Sequence, residues 1–124
     1  MANAKRIERG QRNFHAGQAA EEQVARRYER DGHRILSRRW RGPLGEIDLI
    51  AEKDGETVFV EVKSAADFST AAQSLTRRQI DRLLRSAEHY IGALPTGSLT
   101  PMRFDVALVD RSGRMEILPN ALMT

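Results

Sequence analysis

Apolar positions along this chain follow two different periods, and the changes between them lay out the elements. From about Ala16 to Arg30, the residues Ala20, Val24, Ala25 and Tyr28 recur at helical spacing. Asp31-Gly32 ends that helix, glycine being the common residue just past a C-terminus. Arg34 to Arg41 reads as a strand with Ile35 and Leu36 apolar, and Gly42-Pro43 interrupts it. Residues 45–63, GEIDLIAEKDGETVFVEVK, switch to a period of two on either side of Asp54-Gly55. Ser64 to Ser74 is small and polar without a period, and predicts a flexible loop. The helical period returns with Ile80, Leu83, Leu84, Ala87, Tyr90, Ile91 and Leu94 in one stripe. Thr76 and Gln79 have the spacing of a capping box at its start, and Pro95 and Gly97 mark its end. Met102 to Val109 predicts another strand, and Gly113 turns the chain into a last short one at Met115 to Leu118. The order α-β-β-β-α-β-β predicts an α/β domain, a central mixed sheet flanked by helices, over residues 14–124. Residues 1–13 predict a flexible basic N-terminal arm.

The hairpin carries the chemistry. Asp54-Gly55 suits a type I′ turn, which needs positive φ at both central residues. That loop opposes Lys53 with Glu56, Ala51 with Val58, Leu49 with Val60, Asp48 with Glu61 and Glu46 with Lys63. Side chains alternate between faces, so Glu46, Asp48, Phe59, Glu61 and Lys63 share one, and Ile47, Leu49, Ala51, Val58, Val60 and Val62 the other. Like charges directly across a ladder are destabilising. A hard cation reverses that sign, because Mg²⁺ is held through one or two carboxylates. Asp48 and Glu61 are therefore candidate ligands of Mg²⁺ or Mn²⁺, helped by the Val62 carbonyl. Lys63 would orient a water or offset charge in a phosphoryl-transfer transition state, or instead pair with Glu46 across the ladder. The plain alternative is a hydrated pair of surface carboxylates.

Composition narrows the setting. The chain has 124 residues, no cysteine, a net charge of +3 and a sequence pI near 9.8. Absent cysteine excludes disulfides and thiolate metal sites and fits a reducing, cytoplasmic setting. No apolar run approaches the ~20 residues of a membrane span, and the N-terminus lacks the apolar stretch of a secretory signal. Arginines cluster at Arg26-Arg27, at Arg38-Arg39 with Arg41, and at Arg77-Arg78 with Arg82 and Arg85. Arg77, Arg78, Arg82, Arg38 and Arg39 are the candidate contacts to nucleic-acid phosphates, or else part of a solvated polar face.

An aspartate followed by Glu-x-Lys on the next strand resembles the PD-(D/E)xK nuclease motif. The chain as a whole resembles the YraN-type family of small bacterial proteins. The resemblance rests on Gly45-Glu46-Ile47-Asp48-Leu49-Ile50-Ala51, Val58-Phe59-Val60-Glu61-Val62-Lys63, Arg103-Phe104-Asp105-Val106, and Ala25, Tyr28 and Gly32 on and after the first helix. It covers residue 14 to the C-terminus and implies a restriction-endonuclease-like core similar to that of Holliday-junction resolvases. It also implies a catalytic set of Asp48, Glu61, Lys63 and, on the first helix, Glu22. Glu21 stands where the family usually has glycine, and Glu22 could equally pair with Arg26 one turn on.

Three functions follow as expectations. The first is a metal-dependent endonuclease acting on structured, branched DNA, for which cleavage of two opposed strands would take a homodimer. The second is a catalytically inactive nucleic-acid-binding module. The third is a protein-interaction module on the same fold. His15, His33 and His89 lack zinc-ligand spacing. Trp40 is a stacking or a core residue, and Gln79 is a cap or a site residue. Asp105 has no role that spacing suggests.

Overall fold

The computed structural model describes residues 17–121. The expected arm at residues 1–13 lies outside them. Helix α1 occupies residues 17–30 of the described chain. It ends in a Schellman arrangement: Gly32 takes φ +94°, the His33 N–H donates to the Tyr28 carbonyl at 2.9 Å, and the Gly32 N–H to that of Glu29 at 3.0 Å. Then follow β1 (Arg34–Gly42), β2 (Gly45–Lys53), β3 (Glu56–Ser64), α2 (Phe68–Gln73), α3 (Arg77–Gly92), β4 (Met102–Val109) and β5 (Met115–Leu118). The five strands form one sheet in chain order. Only β3 and β4 run parallel. A parallel pair needs a crossover, and α2 and α3 supply it.

The order is therefore α-β-β-β-α-α-β-β, one helix more than the sequence predicts. The loop expected over Ser64 to Ser74 contains α2. Asp67 caps that helix, its side chain accepting the Thr70 N–H at 2.8 Å. Ala71 anchors it against Val106 and Leu108. Six residues make under two turns, too few for a period to show.

Helices cover both faces of the sheet. On one side Val24, Ala25 and Tyr28 of α1 pack on Leu49, Ala51, Val58 and Val60. On the other, Leu83, Ala87 and Ile91 of α3 pack on Ile47, Ile50, Phe59 and Phe104. Thr76 and Gln79 form the reciprocal capping box at the start of α3. Trp40 belongs to this second core, its ring edge-on to Tyr90 with centroids 5.5 Å apart. No helix among the described residues is long and apolar enough to cross a membrane.

The β2–β3 turn has positive φ at both Asp54 (+53°) and Gly55 (+84°), and the ladder holds the expected register from Lys53↔Glu56 to Leu49↔Val60. Beyond Leu49 the regular pairing stops. Ile47 then leaves the face expected for it and joins Ile50 and Phe59 under α3. Its partner across β1–β2 is Trp40, which goes with it. Arg39, at φ +52°, breaks the alternation of β1 beside them. The β2–β3 ladder ends next to Asp48.

Candidate active site

Where β2 and β3 part, the Asp48 side chain fills the gap. Its carboxylate accepts the Val62 N–H at 2.9 Å, a bond a flat ladder would give to a carbonyl. Glu61, the neighbour of Val62, is brought against Asp48, close enough for a hydrogen bond when one of the two is protonated. The Lys63 ammonium lies 3.2 Å from the Glu61 carboxylate, and both side chains are largely buried. Asp48, Glu61 and Lys63 thus converge on one end of the sheet. The alternative pairing of Lys63 with Glu46 is not formed: Glu46 lies opposite Arg41, at 4.0 Å, and the ion pair of Lys63 is with Glu61.

Burial and neighbouring acidic charge set the electrostatics. Burial pushes the Asp48 carboxyl above its usual range, the Val62 N–H pulls it back, and the charge of Glu21 raises it again. Burial and then the Asp48 charge raise Glu61 from its usual 4.5 to about 7, against the pull of Lys63. Two adjacent acids both raised by desolvation, Glu61 further by the Asp48 charge and Asp48 by that of Glu21, are in the environment expected of a functional site rather than of a solvated surface.

Helix α1 borders the site. A cleft of about 470 Å³ is lined by Glu21 and Glu22 of α1, Arg38 and Arg39 of β1, and Asp48. Glu22 meets the Arg38 guanidinium and lies 3.9 Å from Arg26. Glu21 accepts from the Arg39 Nε at 2.7 Å and is the more shielded of the two. The α1 acid whose charge reaches Asp48 is Glu21, a residue the sequence reading passed over. Its signal in the sequence is adjacency alone, one residue before a predicted site position. Arg39 feels Glu46 and Asp48 as well as Glu21, and hydrogen bonding to Glu21 raises its pKa above the arginine range.

The arginine candidates divide. Arg38 and Arg39 engage the α1 glutamates. Arg77, Arg78 and Arg82 are exposed on α3, away from those pairs. The two candidate ligand side chains, Asp48 and Glu61, offer oxygen only, which suits Mg²⁺ or Mn²⁺. Among the described residues no group of three or more His, Cys, Asp or Glu side chains is gathered around one point. An ion held there by Asp48 and Glu61 would keep several water ligands, as Mg²⁺ does.

Asp105 has a definite place. It is buried on β4, accepts the Tyr28 hydroxyl at 2.6 Å, and takes two bonds from Arg103 at 2.9 and 3.2 Å. The Asn120 N–H donates to it at 3.2 Å, and Arg103 reaches on to Glu56 at 3.1 Å. This network ties α1, β3, β4 and the C-terminal segment together and touches none of Asp48, Glu61 and Lys63.

Residues 20–109 match the model of the uncharacterised protein family UPF0102. The chain is similar to a UPF0102 protein of Ruegeria pomeroyi, 58% identical over 113 residues, which is 91% of this chain and 92% of the relative. It is 52% identical to one of Cereibacter sphaeroides over 112 residues, 90% of this chain and 96% of the relative. With one of Roseobacter denitrificans the identity is 46% over 117 residues, 94% and 91% of the two chains.

Proposed function

We propose that this chain, which belongs to the UPF0102 family, is a divalent-metal-dependent phosphodiesterase acting on nucleic acid, built on a restriction-endonuclease-like core. One observation carries the reading: Asp48 and Glu61, with Lys63 alongside, converge where β2 and β3 separate. Two carboxylates pressed together out of water are unfavourable unless a cation joins them. Asp48 and Glu61 are the residues that would hold Mg²⁺ or Mn²⁺. When bound, the ion would neutralise the acids and polarise a phosphoryl oxygen. Lys63, its Nζ 3.2 Å from Glu61, is placed to orient an attacking water or to balance charge on the phosphoryl group. The Val62 N–H fixes the direction of the Asp48 carboxylate. Glu21, held by Arg39, raises the negative potential that draws a cation in.

A second reading has its own support. With two converging acids and, among the described residues, no third gathered with them, the site suits a nucleic-acid binder that kept the fold without turnover. One experiment separates them. Labelled single-stranded, duplex, nicked, flapped and branched DNA, and the same forms in RNA, are incubated with Mg²⁺ and Mn²⁺, beside Asp48→Asn. Metal-dependent cutting lost in Asp48→Asn supports the enzyme. Binding without cutting in every condition sinks it and leaves the binder.

A further inference from the structure

We infer that Leu44, at the tip of the β1–β2 hairpin, and the Arg78–Arg82–Arg85 stripe of α3 form a docking surface for nucleic acid whose base stack is interrupted. The inference rests on the nucleic-acid reading above but needs no cleavage. The three arginines stand at i, i+4 and i+7, one face of the helix, and span about 10 Å at 1.5 Å per residue. All three are exposed, and among the described residues none has a carboxylate within ion-pair distance. They line a cleft of about 430 Å³ with Asp81 and Leu44. Arg38 and Arg39, by contrast, already serve the α1 glutamates.

Leu44 is 48% exposed on a tip closed by the Gly42↔Gly45 pair. The tip and the stripe are joined. A Cβ at Gly45 would lie 2.8 Å from the Arg82 Cγ, so the stem of Arg82 runs directly across the glycine that follows Leu44. From Leu44 to Asp48 is four residues of strand, about 13 Å at 3.3 Å each.

The chemistry of the pair selects the partner. Arginines without acid partners suit phosphates, which bind without regard to sequence. An apolar side chain among them needs an apolar counterpart. On nucleic acid that means a base face, and side chains such as leucine wedge between base steps at the expense of stacking. In a continuous duplex those faces are covered, whereas a gap, nick or flap leaves one open.

The test is fluorescence anisotropy on the full chain in EDTA, with a continuous duplex and the same duplex carrying a two-nucleotide gap. Leu44→Ala, Leu44→Ser and the triple variant Arg78→Gln/Arg82→Gln/Arg85→Gln run beside the wild type, each checked by circular dichroism. The wild type is expected to favour the gapped form roughly tenfold, about 1.4 kcal/mol. Both Leu44 variants should lose most of that preference and keep their affinity for the continuous duplex. The triple variant should weaken on both and flatten the salt dependence by roughly 2.7, at 0.9 per phosphate contact. Equal affinity for the two duplexes, or a preference indifferent to Leu44, overturns the inference. So does a concentration-dependent dimer that the Leu44 variants dissolve, which would give the tip to a second copy. If gap preference holds while nothing is ever cut, the docking surface stands and the phosphodiesterase falls.

Discussion

The Asp48 carboxylate accepts the backbone N–H of Val62 at 2.9 Å, so the candidate metal ligand of β2 is also what closes the open end of the β2–β3 ladder. The two duties are separable by substitution. Asparagine keeps an oxygen for the Val62 N–H and removes the charge. Alanine removes both and leaves a part-buried donor without its partner, a loss of about 1–3 kcal/mol. Asp48→Asn is expected to melt within a degree or two of the wild type, to lose Mn²⁺ binding by calorimetry, and to lose any cleavage. Asp48→Ala should lose the same functions and melt clearly lower. Unaltered Mn²⁺ affinity in Asp48→Asn would remove Asp48 from the metal site.

Glu61 gives a pH signature of definite sign. Its folded-state carboxyl titrates near 7 against a usual 4.5, and Asp48 is shifted in the same direction. Between those values the native state holds protons that the unfolded chain has released, so stability falls as pH rises through the window. Melting temperature is therefore expected to decline from about pH 5 to about pH 7.5, and Glu61→Gln should flatten the decline. A divalent cation competes with those protons and stabilises by mass action. Added MnCl₂ should raise the melting temperature more at pH 8 than at pH 5. A cation effect of equal size at both pH values would mean that it does not bind at these acids.

Much of this site is legible in the sequence because its parts are local. Asp54-Gly55 sets the turn, and counting back from it gives the register as far as Leu49 with Val60, one step short of Asp48 and Glu61. Thr76 and Gln79 encode the start of α3 within four residues. What stays hidden depends on distance or on unusual backbone. Arg39 takes a left-handed φ, and arginine carries no signal for one. Ile47 likewise sits in the α3 core, where the strict alternation of β2 does not put it. The place of Glu21 beside Asp48 depends on how α1 crosses the sheet. Arg103 is two residues from Asp105 on the same strand, but the other partners of Asp105 lie on a helix 77 residues earlier and on a turn 15 residues later, beyond any periodicity.

The Asp105 network makes a stability prediction distinct from the site. Burial and the hydrogen bond to Asp105 hold the Tyr28 phenol well above its usual range, so it remains a donor. Tyr28→Phe deletes one of several bonds to Asp105 and should cost about 1–2 kcal/mol. Asp105→Ala strands the Tyr28 hydroxyl, the Asn120 N–H and the inner side of Arg103, and should cost about 3–5 kcal/mol, as for a broken buried pair. Urea titration measures both. Mn²⁺ affinity of whatever remains folded should be unchanged, because the network does not touch Asp48, Glu61 or Lys63. A large loss of Mn²⁺ affinity in folded Tyr28→Phe would contradict that separation.

Gly45 and Ser86 meet under Arg82, and opposite outcomes are expected for them. Gly45 has φ +152°, a region that side chains avoid, and an added Cβ would press to 2.8 Å on the Arg82 Cγ and 3.2 Å on the Ser86 hydroxyl. Gly45→Ala is therefore expected to cost about 1–3 kcal/mol through backbone strain, and to push the Arg82 stem off the hairpin. The Ser86 hydroxyl is buried with no hydrogen-bond partner among the described residues, so it bears a desolvation cost with no return. Ser86→Ala removes that cost, leaves the Arg82 stem where it is, and adds the better helix former. Chemical denaturation should find Ser86→Ala as stable as the wild type or more so. In the double variant, the smaller side chain at 86 relieves the 3.2 Å contact but neither φ nor the contact with Arg82. Ser86→Ala should thus recover only a minor part of the Gly45→Ala loss. Full recovery would show that the hydroxyl, and not the backbone, is what demands glycine at position 45.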